Sequence, residues 1–376
     1  MTLQDINMGL NIVMTGYDHT VFENLGSSNT KERLIGYAAI LEGHHPKSKL
    51  TYLALRAPKE AKKFTKDNVD FIPIYCNILS LFYKLPYELS KLNNISFVFS
   101  QTPYEDGFIC LAYSKIKRIL YGVQVHNDLQ NTPGIPPIAL IRQFMSYCCF
   151  LGAKIIRTVN PITGSQLRKS YGDKVKTIPV TPSIIPCLRT GTPDKPHILI
   201  VSRLSKEKGV DIGLEVIAKV SGKLPNVKVT IIGDGNEENK LKHQAKLLGI
   251  DANFLGAISP QDLSDYYCQA TLLLLTSKQE GWGRVLIEAI FAGLPIVATE
   301  TLGAKAIVKN NENGFLHPID DVEALSSSVI KLCFDKDLNN KMGYESYKIS
   351  KIYQSQKLDH ELIESILSKL TTKDLK

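Results

Sequence analysis

The sequence of 376 residues has no apolar run approaching the ~18 residues that a membrane-spanning helix needs. Thr271–Thr276, TLLLLT, is only strand length. The opening MTLQDINMGLNIVM lacks a basic start followed by an apolar stretch, so no signal peptide is expected. Cysteine is sparse, with seven residues in all. Cys148 and Cys149 are adjacent and Cys76, Cys110, Cys187, Cys268 and Cys333 are scattered, an odd number without metal-ligand spacing. That pattern argues against a disulfide framework and predicts reduced core thiols in a cytoplasmic protein. The glycosylation-type triplet Asn94-Ile95-Ser96 then reads as chance. No GxxxxGK[ST] occurs, which excludes a P-loop, and GDGNEE lacks the third glycine of the dinucleotide fingerprint. Short repeats and low-complexity tracts are also missing.

What is present is ordinary for a soluble globular chain: 44% apolar and 22% charged residues. The length suggests two domains of about 100–200 residues each. Charge is uneven. Residues 1–190 carry 22 Lys and Arg against 13 Asp and Glu, whereas 191–376 carry 23 against 24. The net charge of +8 therefore resides in the first half. Either that half meets an anionic partner, such as phospholipid, lipid-linked phosphate or nucleic acid, or it presents a solvated basic face. No stacking-aromatic and basic motif accompanies the charge, so nucleic acid is not the expected partner.

Strand and helix patterns alternate. In the first half, Leu10–Gly16, Lys49–Leu55, Ser96–Ser100, Ile119–Val125, Ile155–Val159 and Val175–Pro179 read as strands, and Thr30–His45 as a helix. Residues 182–196, PSIIPCLRTGTPDKP, have linker composition. The pattern then restarts, with strands at His197–Arg203, Val227–Gly235, Asn253–Gly256, Thr271–Thr276 and Pro295–Ala298. Helices are expected at Val210–Val220, Ser259–Gln269 and Gly283–Ala292. Alternating strands and helices imply βαβ units with parallel sheets. The expected fold class is α/β, with two Rossmann-like doubly wound domains facing across a cleft, residues 1–190 and 191–345. A long final helical stretch, Asp337–Leu370, is expected to cross back to the first domain, with 346–376 as the returning segment.

Ligands in open parallel sheets bind beyond the carboxyl ends of strands. Arg203 and Lys208 follow one strand in VSRLSKEKG, Gly233 follows another, and Glu280, Gly281, Trp282, Gly283 and Arg284 follow TLLLL at a helix start. Two cations and amides at a helix N-terminus describe a diphosphate site. Glu288 sits inside that helix among Leu286, Ile287, Ala289 and Ile290. A buried carboxylate costs several kcal/mol unless something hydrogen-bonds to it. A ligand rich in hydroxyls would do so; the other reading is that Glu288 points to water.

From Ile198 to about Leu325 the chain resembles the retaining GT-B glycosyltransferases, glycosyltransferase family four of the glycogen- and sucrose-synthase-like superfamily. SRLSKEKG, IIGDG, SKQEGWGRVLIEAIFAGLPIVAT and NGFLHPIDD carry the resemblance, and Glu280 and Glu288 match its E-x7-E motif. It implies that the second domain binds a nucleotide diphosphate sugar and the first an acceptor. It implies that Arg203 and Lys208 hold the diphosphate, that Glu280, Gly281, Trp282, Gly283 and Arg284 address sugar and phosphate with Gly233 lining the donor site, and that Glu288 binds ribose hydroxyls. No metal is implied, and no cofactor beyond the donor. In the first half, NLGSSNTKERLIGYAAIL resembles the family's glycine-rich loop, with Gly26 and Ser27 at the Gly-Gly position, and ILYGVQVHNDL makes His126 the residue near the transferred sugar, with Asp128 to orient it. The chain departs from the pattern at Pro179-Val180-Thr181-Pro182, where Pro-Asn-Gly is common, and at Ala306, where a glutamate is common. A sugar-nucleotide epimerase and a non-catalytic binder remain as alternatives. Finally, Lys59, Lys62, Lys63 and Lys66 at i, i+3, i+4 and i+7 spacing suggest one helical face, either solvated or laid on an anionic membrane beside a glycan or lipid-linked acceptor.

Overall fold

The computed structural model describes residues 9–18, 20–22, 28–126, 134–182, 187–353 and 355–370. It divides into two compact units, Met1–Val180 with Ser355–Lys376, and Thr181–Gln354. The division thus falls ten residues before the expected 190, and the return begins at Ser355 rather than 346. Side chains on either side of the first crossing explain its position. Arg157, fully buried in the first unit, donates to the carbonyls of Ile178 and Pro179 at 3.0 and 3.3 Å. Beyond the crossing, Arg189 donates to the Thr271 carbonyl at 3.1 Å and its amide to the Ala292 carbonyl at 2.9 Å, so the proline-rich segment belongs to the second unit.

The first unit runs β1 (Asn11–Gly16), α1 (Asn29–His44), β2 (Lys49–Leu55), β3 (Phe64–Lys66), β4 (Val69–Ile74), α2 (Ile78–Ser90), β5 (Ile95–Ser100), α3 (Glu105–Lys117), β6 (Leu120–Val125), α4 (Pro136–Gly152), β7 (Ile155–Thr158), α5 (Pro161–Tyr171) and β8 (Val175–Thr177). The sheet order is β3-β4-β2-β1-β5-β6-β7-β8, parallel except for β3. Its central strands β1 and β2 are buried on both faces, which is why they read as apolar runs rather than as alternation. Against one face pack Leu34, Tyr37 and Leu41 of α1. Against the other pack Leu81, Leu85 and Leu89 of α2, Ile109 and Cys110 of α3, and Cys149 and Phe150 of α4.

The second unit runs β9 (His197–Val201), α6 (Val210–Lys223), β10 (Lys228–Ile232), α7 (Glu238–Leu247), β11 (Ala252–Gly256), α8 (Pro260–Gln269), β12 (Leu272–Leu275), α9 (Arg284–Phe291), β13 (Ile296–Thr299), α10 (Leu302–Ile307), β14 (Gly314–His317), α11 (Val322–Phe334) and α12 (Lys336–Ser350). Its all-parallel sheet has the order β11-β10-β9-β12-β13-β14, the doubly wound arrangement in which the winding reverses between β9 and β12. The single long terminal helix is corrected to two. α12 ends at Ser350, and α13 (Ser355–Leu367) returns to the first unit, where Leu358, Leu362, Ile363 and Ile366 join the core beside α1.

Two further expectations are overturned. Lys59–Lys66 is not a helical face. Residues 64–66 form edge strand β3, hairpinned onto β4 with Phe64 opposite Phe71, their rings stacked at 4.7 Å. Asp67 and Asn68 both have positive φ, 47° and 59°, the conformation that a two-residue type I′ turn demands. Cys187 and Cys268 are paired as a disulfide, their Cα atoms 6.1 Å apart, and therefore not reduced thiols. Cys76, Cys110, Cys149 and Cys333 are free and buried, and Cys148 is free and half-buried.

Candidate functional site

In the second unit the loops after β9, β10, β12 and β13 are knitted together at the carboxyl edge. The Leu204 amide donates to the Asp234 carbonyl at 2.6 Å, the Lys278 amide to the Glu207 carbonyl at 2.9 Å, and the Gly303 amide to the Glu280 carbonyl at 2.7 Å. Gly233 is required by proximity: a Cβ there would lie 1.9 Å from the Ser202 carbonyl oxygen. The edge is therefore built from backbone packing, with the β9 and β12 loops flanking the winding reversal.

Lys208 closes a single 3-10 turn, Lys206–Lys208, ahead of α6. Its Nζ sits 2.5 Å from Oε2 of Glu280, and both side chains are largely buried, 17% and 14% exposed. Two residues predicted to serve phosphate and sugar thus meet directly and neutralise each other. Arg203 is not part of that pair. It is exposed and ion-pairs with Glu207 at 3.0 Å.

Gly283 caps α9 at φ 76°, a conformation that side chains rarely adopt, and turns the chain sharply from loop to helix. Gly281 lies just upstream, and Trp282 is buried edge-on against Tyr353 at 5.7 Å. Arg284 opens α9 with an exposed side chain. The amide end of α9 is thereby directed to the same edge as Lys208, where negative charge is favoured.

Glu288 is half-buried and accepts a 2.7 Å hydrogen bond from the hydroxyl of Tyr267, itself fully buried on α8. It is not turned into open water. Burial pushes its carboxyl above the ordinary range, opposed by the Tyr267 hydroxyl and by Arg284. Sequence reasoning missed Tyr267, although it lies in LSDYY at helical spacing on a buried face, and missed Tyr353, which carries no local signal.

In the first unit the winding reverses between β1 and β5, and a cavity of about 210 Å³ opens beyond these strands and β6. Tyr17, Gln101, Thr102, Tyr104 and His126 line it. The Tyr17 amide donates to Gln101 Oε1 at 2.7 Å, and Thr15 donates to the fully buried Asp106 at 2.9 Å, which ties the two strand ends together. Burial pushes the His126 pKa down to about 3, helped by Arg157 and Arg33. The imidazole is therefore neutral at physiological pH, suited to hydrogen-bonding a hydroxyl rather than to carrying charge. The loop containing Gly26 and Ser27, and Asp128, lie outside the described residues. Asp106 and Gln101 were not foreseen.

Comparison with known proteins bears on the family and the fold. Residues 190–349 match the family described as Glycosyl transferases group 1. That match covers 160 of the 376 residues. An uncharacterized glycosyltransferase of Haemophilus influenzae is 30% identical over 229 residues, 56% of this chain and 65% of that protein. The UDP-N-acetylglucosamine–peptide N-acetylglucosaminyltransferase GtfA subunit of Streptococcus gordonii is 28% identical over 200 residues, 50% of this chain and 39% of that one. The chain thus spans less than two thirds of these relatives. Among solved structures, sucrose-phosphate synthase from Thermosynechococcus elongatus superposes with TM-score 0.74 at 15% identity, over 96% of this chain and 98% of the other. HepE of Anabaena in complex with UDP and glucose also gives 0.74, at 17% identity over 95% and 99%. These likenesses show a shared fold, in which Lys208, Glu280 and Glu288 all lie within the group 1 segment.

Proposed function

We propose that this chain is a retaining glycosyltransferase that moves a hexose-type sugar from a nucleotide diphosphate sugar to a hydroxyl of a glycan or lipid-linked acceptor. The observation that supports it most is the Lys208–Glu280 pair beside the amide end of α9, at the point where the sheet's winding reverses. Lys208, the α9 terminus and the nearby Arg203 provide positive charge for the departing diphosphate, and such stabilisation is usually the largest catalytic contribution. Glu280 and Glu288 provide acceptors for sugar and ribose hydroxyls.

In the proposed step the bond from the anomeric carbon to the diphosphate breaks. A bond from that carbon to the acceptor oxygen forms on the same face, and the acceptor proton passes to a phosphate oxygen. His126, neutral, is the first unit's candidate partner for a hydroxyl. No metal is needed, because protein groups neutralise the phosphate. The basic first half suits an acceptor carried on an anionic membrane surface, although no described helix is long and apolar enough to cross a membrane.

The test is turnover of a panel of nucleotide sugars, UDP-glucose first, with and without acceptor. Lys208→Ala and Glu280→Ala should each lower turnover by about ten- to a thousandfold. Near-normal activity in both would refute the site. Conversion without any acceptor would favour the epimerase reading.

A further inference from the structure

Helices of globular proteins bury their apolar face and show water a polar one. Two helices of the first unit, α2 and α4, do otherwise. α2 and α4 flank α3, and all three pack inward on the same sheet face through a common core. Outward, α2 presents Leu79, Phe82 and Tyr83, and α4 presents Leu140, Ile141 and Phe144, with Leu79 78% and Phe144 63% exposed. Tyr147 and Leu151 continue the α4 stripe one and two turns on. Arg142 is the one charged residue among the 17 of α4. Exposed large apolar side chains grouped in this way mark an interaction surface.

Charge identifies the occupant. Every acidic side chain on these helices is already satisfied: Asp106 is buried, Glu105 pairs with Arg142 at 2.8 Å, and Glu88 pairs with Lys91 at 2.8 Å. Lys115, Lys117 and Arg118 stand exposed at the end of α3 beside Ile116, itself 79% exposed. Lys59 and Lys84 both lie 5.3 Å from the ring of Tyr75, just ahead of α2. The face thus combines apolar side chains on α2 and α4 with cations on α3 and around Tyr75, as interfacial helices do. A second copy of the chain would meet these cations with the same patch, whose carboxylates are already paired or buried, because a twofold interface brings identical patches together. An anionic bilayer offers acyl chains to the apolar side chains and phosphates to the cations.

We propose that the outer face of α2, α3 and α4 docks this protein on an anionic lipid surface. This replaces the Lys59–Lys66 stretch as the main contact. It deepens the reading of a membrane-borne acceptor but does not need the transferase activity, because the surface is tested by binding alone.

The experiment is co-sedimentation of the full chain with phosphatidylcholine vesicles with and without phosphatidylglycerol. The wild type should bind the anionic vesicles, less at high salt. Ile141→Glu and Phe144→Glu should each lower the partition coefficient about tenfold, and Lys115→Gln and Lys117→Gln each about fivefold. Leu247→Glu, on an equally exposed apolar residue of the second unit, should leave it unchanged. All these positions are exposed, so melting temperatures should match the wild type and exclude misfolding. Failure of the wild type to bind, or unchanged binding by Phe144→Glu, overturns the proposal. So does a dimer in sedimentation velocity that Phe144→Glu dissociates while no vesicle binding is seen, which would assign the face to a second copy.

Discussion

Replacing Glu280 by Gln should separate binding from turnover. Lys208 already has a carboxylate 2.5 Å away in a largely buried setting, so an incoming diphosphate competes with Glu280 for that cation. Two unit charges 4 Å apart interact by about 4 kcal/mol at an effective dielectric of 20. A charge-assisted hydrogen bond contributes about 1.5–3 kcal/mol net. Gln keeps the shape and removes the charge, so Lys208 is released and the repulsion between carboxylate and phosphate disappears. If about 1–2 kcal/mol of this reaches the ligand, nucleoside diphosphates bind about five- to thirtyfold tighter to Glu280→Gln. Lys208→Gln should do the reverse, leaving a carboxylate beside the diphosphate without its cation. Turnover falls in both. The assay is calorimetric titration with a panel of nucleoside diphosphates at low and high salt, beside turnover of the matching nucleotide sugar. Unchanged or weaker diphosphate binding by Glu280→Gln, with Lys208→Gln impaired, would refute the competition. No change in either would remove the pair from the phosphate site.

Other outcomes follow from the same geometry. Glu288 has its carboxyl pKa raised by burial, so the native state binds the proton more tightly than the unfolded chain and stability declines as pH rises above the ordinary carboxylate range. Glu288→Gln should be more stable than wild type at pH 7 in thermal melts yet bind nucleotide more weakly; Tyr267→Phe should weaken it too, by removing the hydrogen bond that orients the carboxylate. His126 has the opposite sign. With its pKa at about 3, the unfolded chain takes up the proton first, and stability is lost as pH falls from about 6.5 towards 3. His126→Gln should flatten that part of the stability profile measured by denaturant titration. Leu362→Ala, at a fully buried position of α13, should cost about 2–5 kcal/mol in the first unit. Activity should survive EDTA; abolition that divalent metal restores would contradict metal-independent transfer.

The second unit was legible because its signals are local. Apolar strand runs, helix starts and the E-x7-E spacing each lie within a few dozen residues. That placed Lys208, Glu280 and Glu288 correctly on their loops and helix. Whether Glu288 faced water could not be read locally, because the answer lies in Tyr267, 21 positions away. The Lys59–Lys66 stretch misled because lysine spacing fits a helix, whereas the Phe64–Phe71 stack and the Asp67-Asn68 turn set a hairpin. The proline-rich segment gave the crossing but not its edge, since Arg157 and Arg189 claim its two sides through contacts distant in sequence. Cys187 and Cys268 are separated by 81 positions, a pairing that composition does not reveal.

The order of the chain has a consequence for synthesis. Thr181–Gln354 is interposed within the first unit, and the α13 side chains that complete that unit's core are made last. During translation, α1 and its sheet face are made before Thr181–Gln354, and the α13 residues beside them come after it. The core of the amino-terminal unit is therefore complete only once Leu358, Leu362, Ile363 and Ile366 have been made.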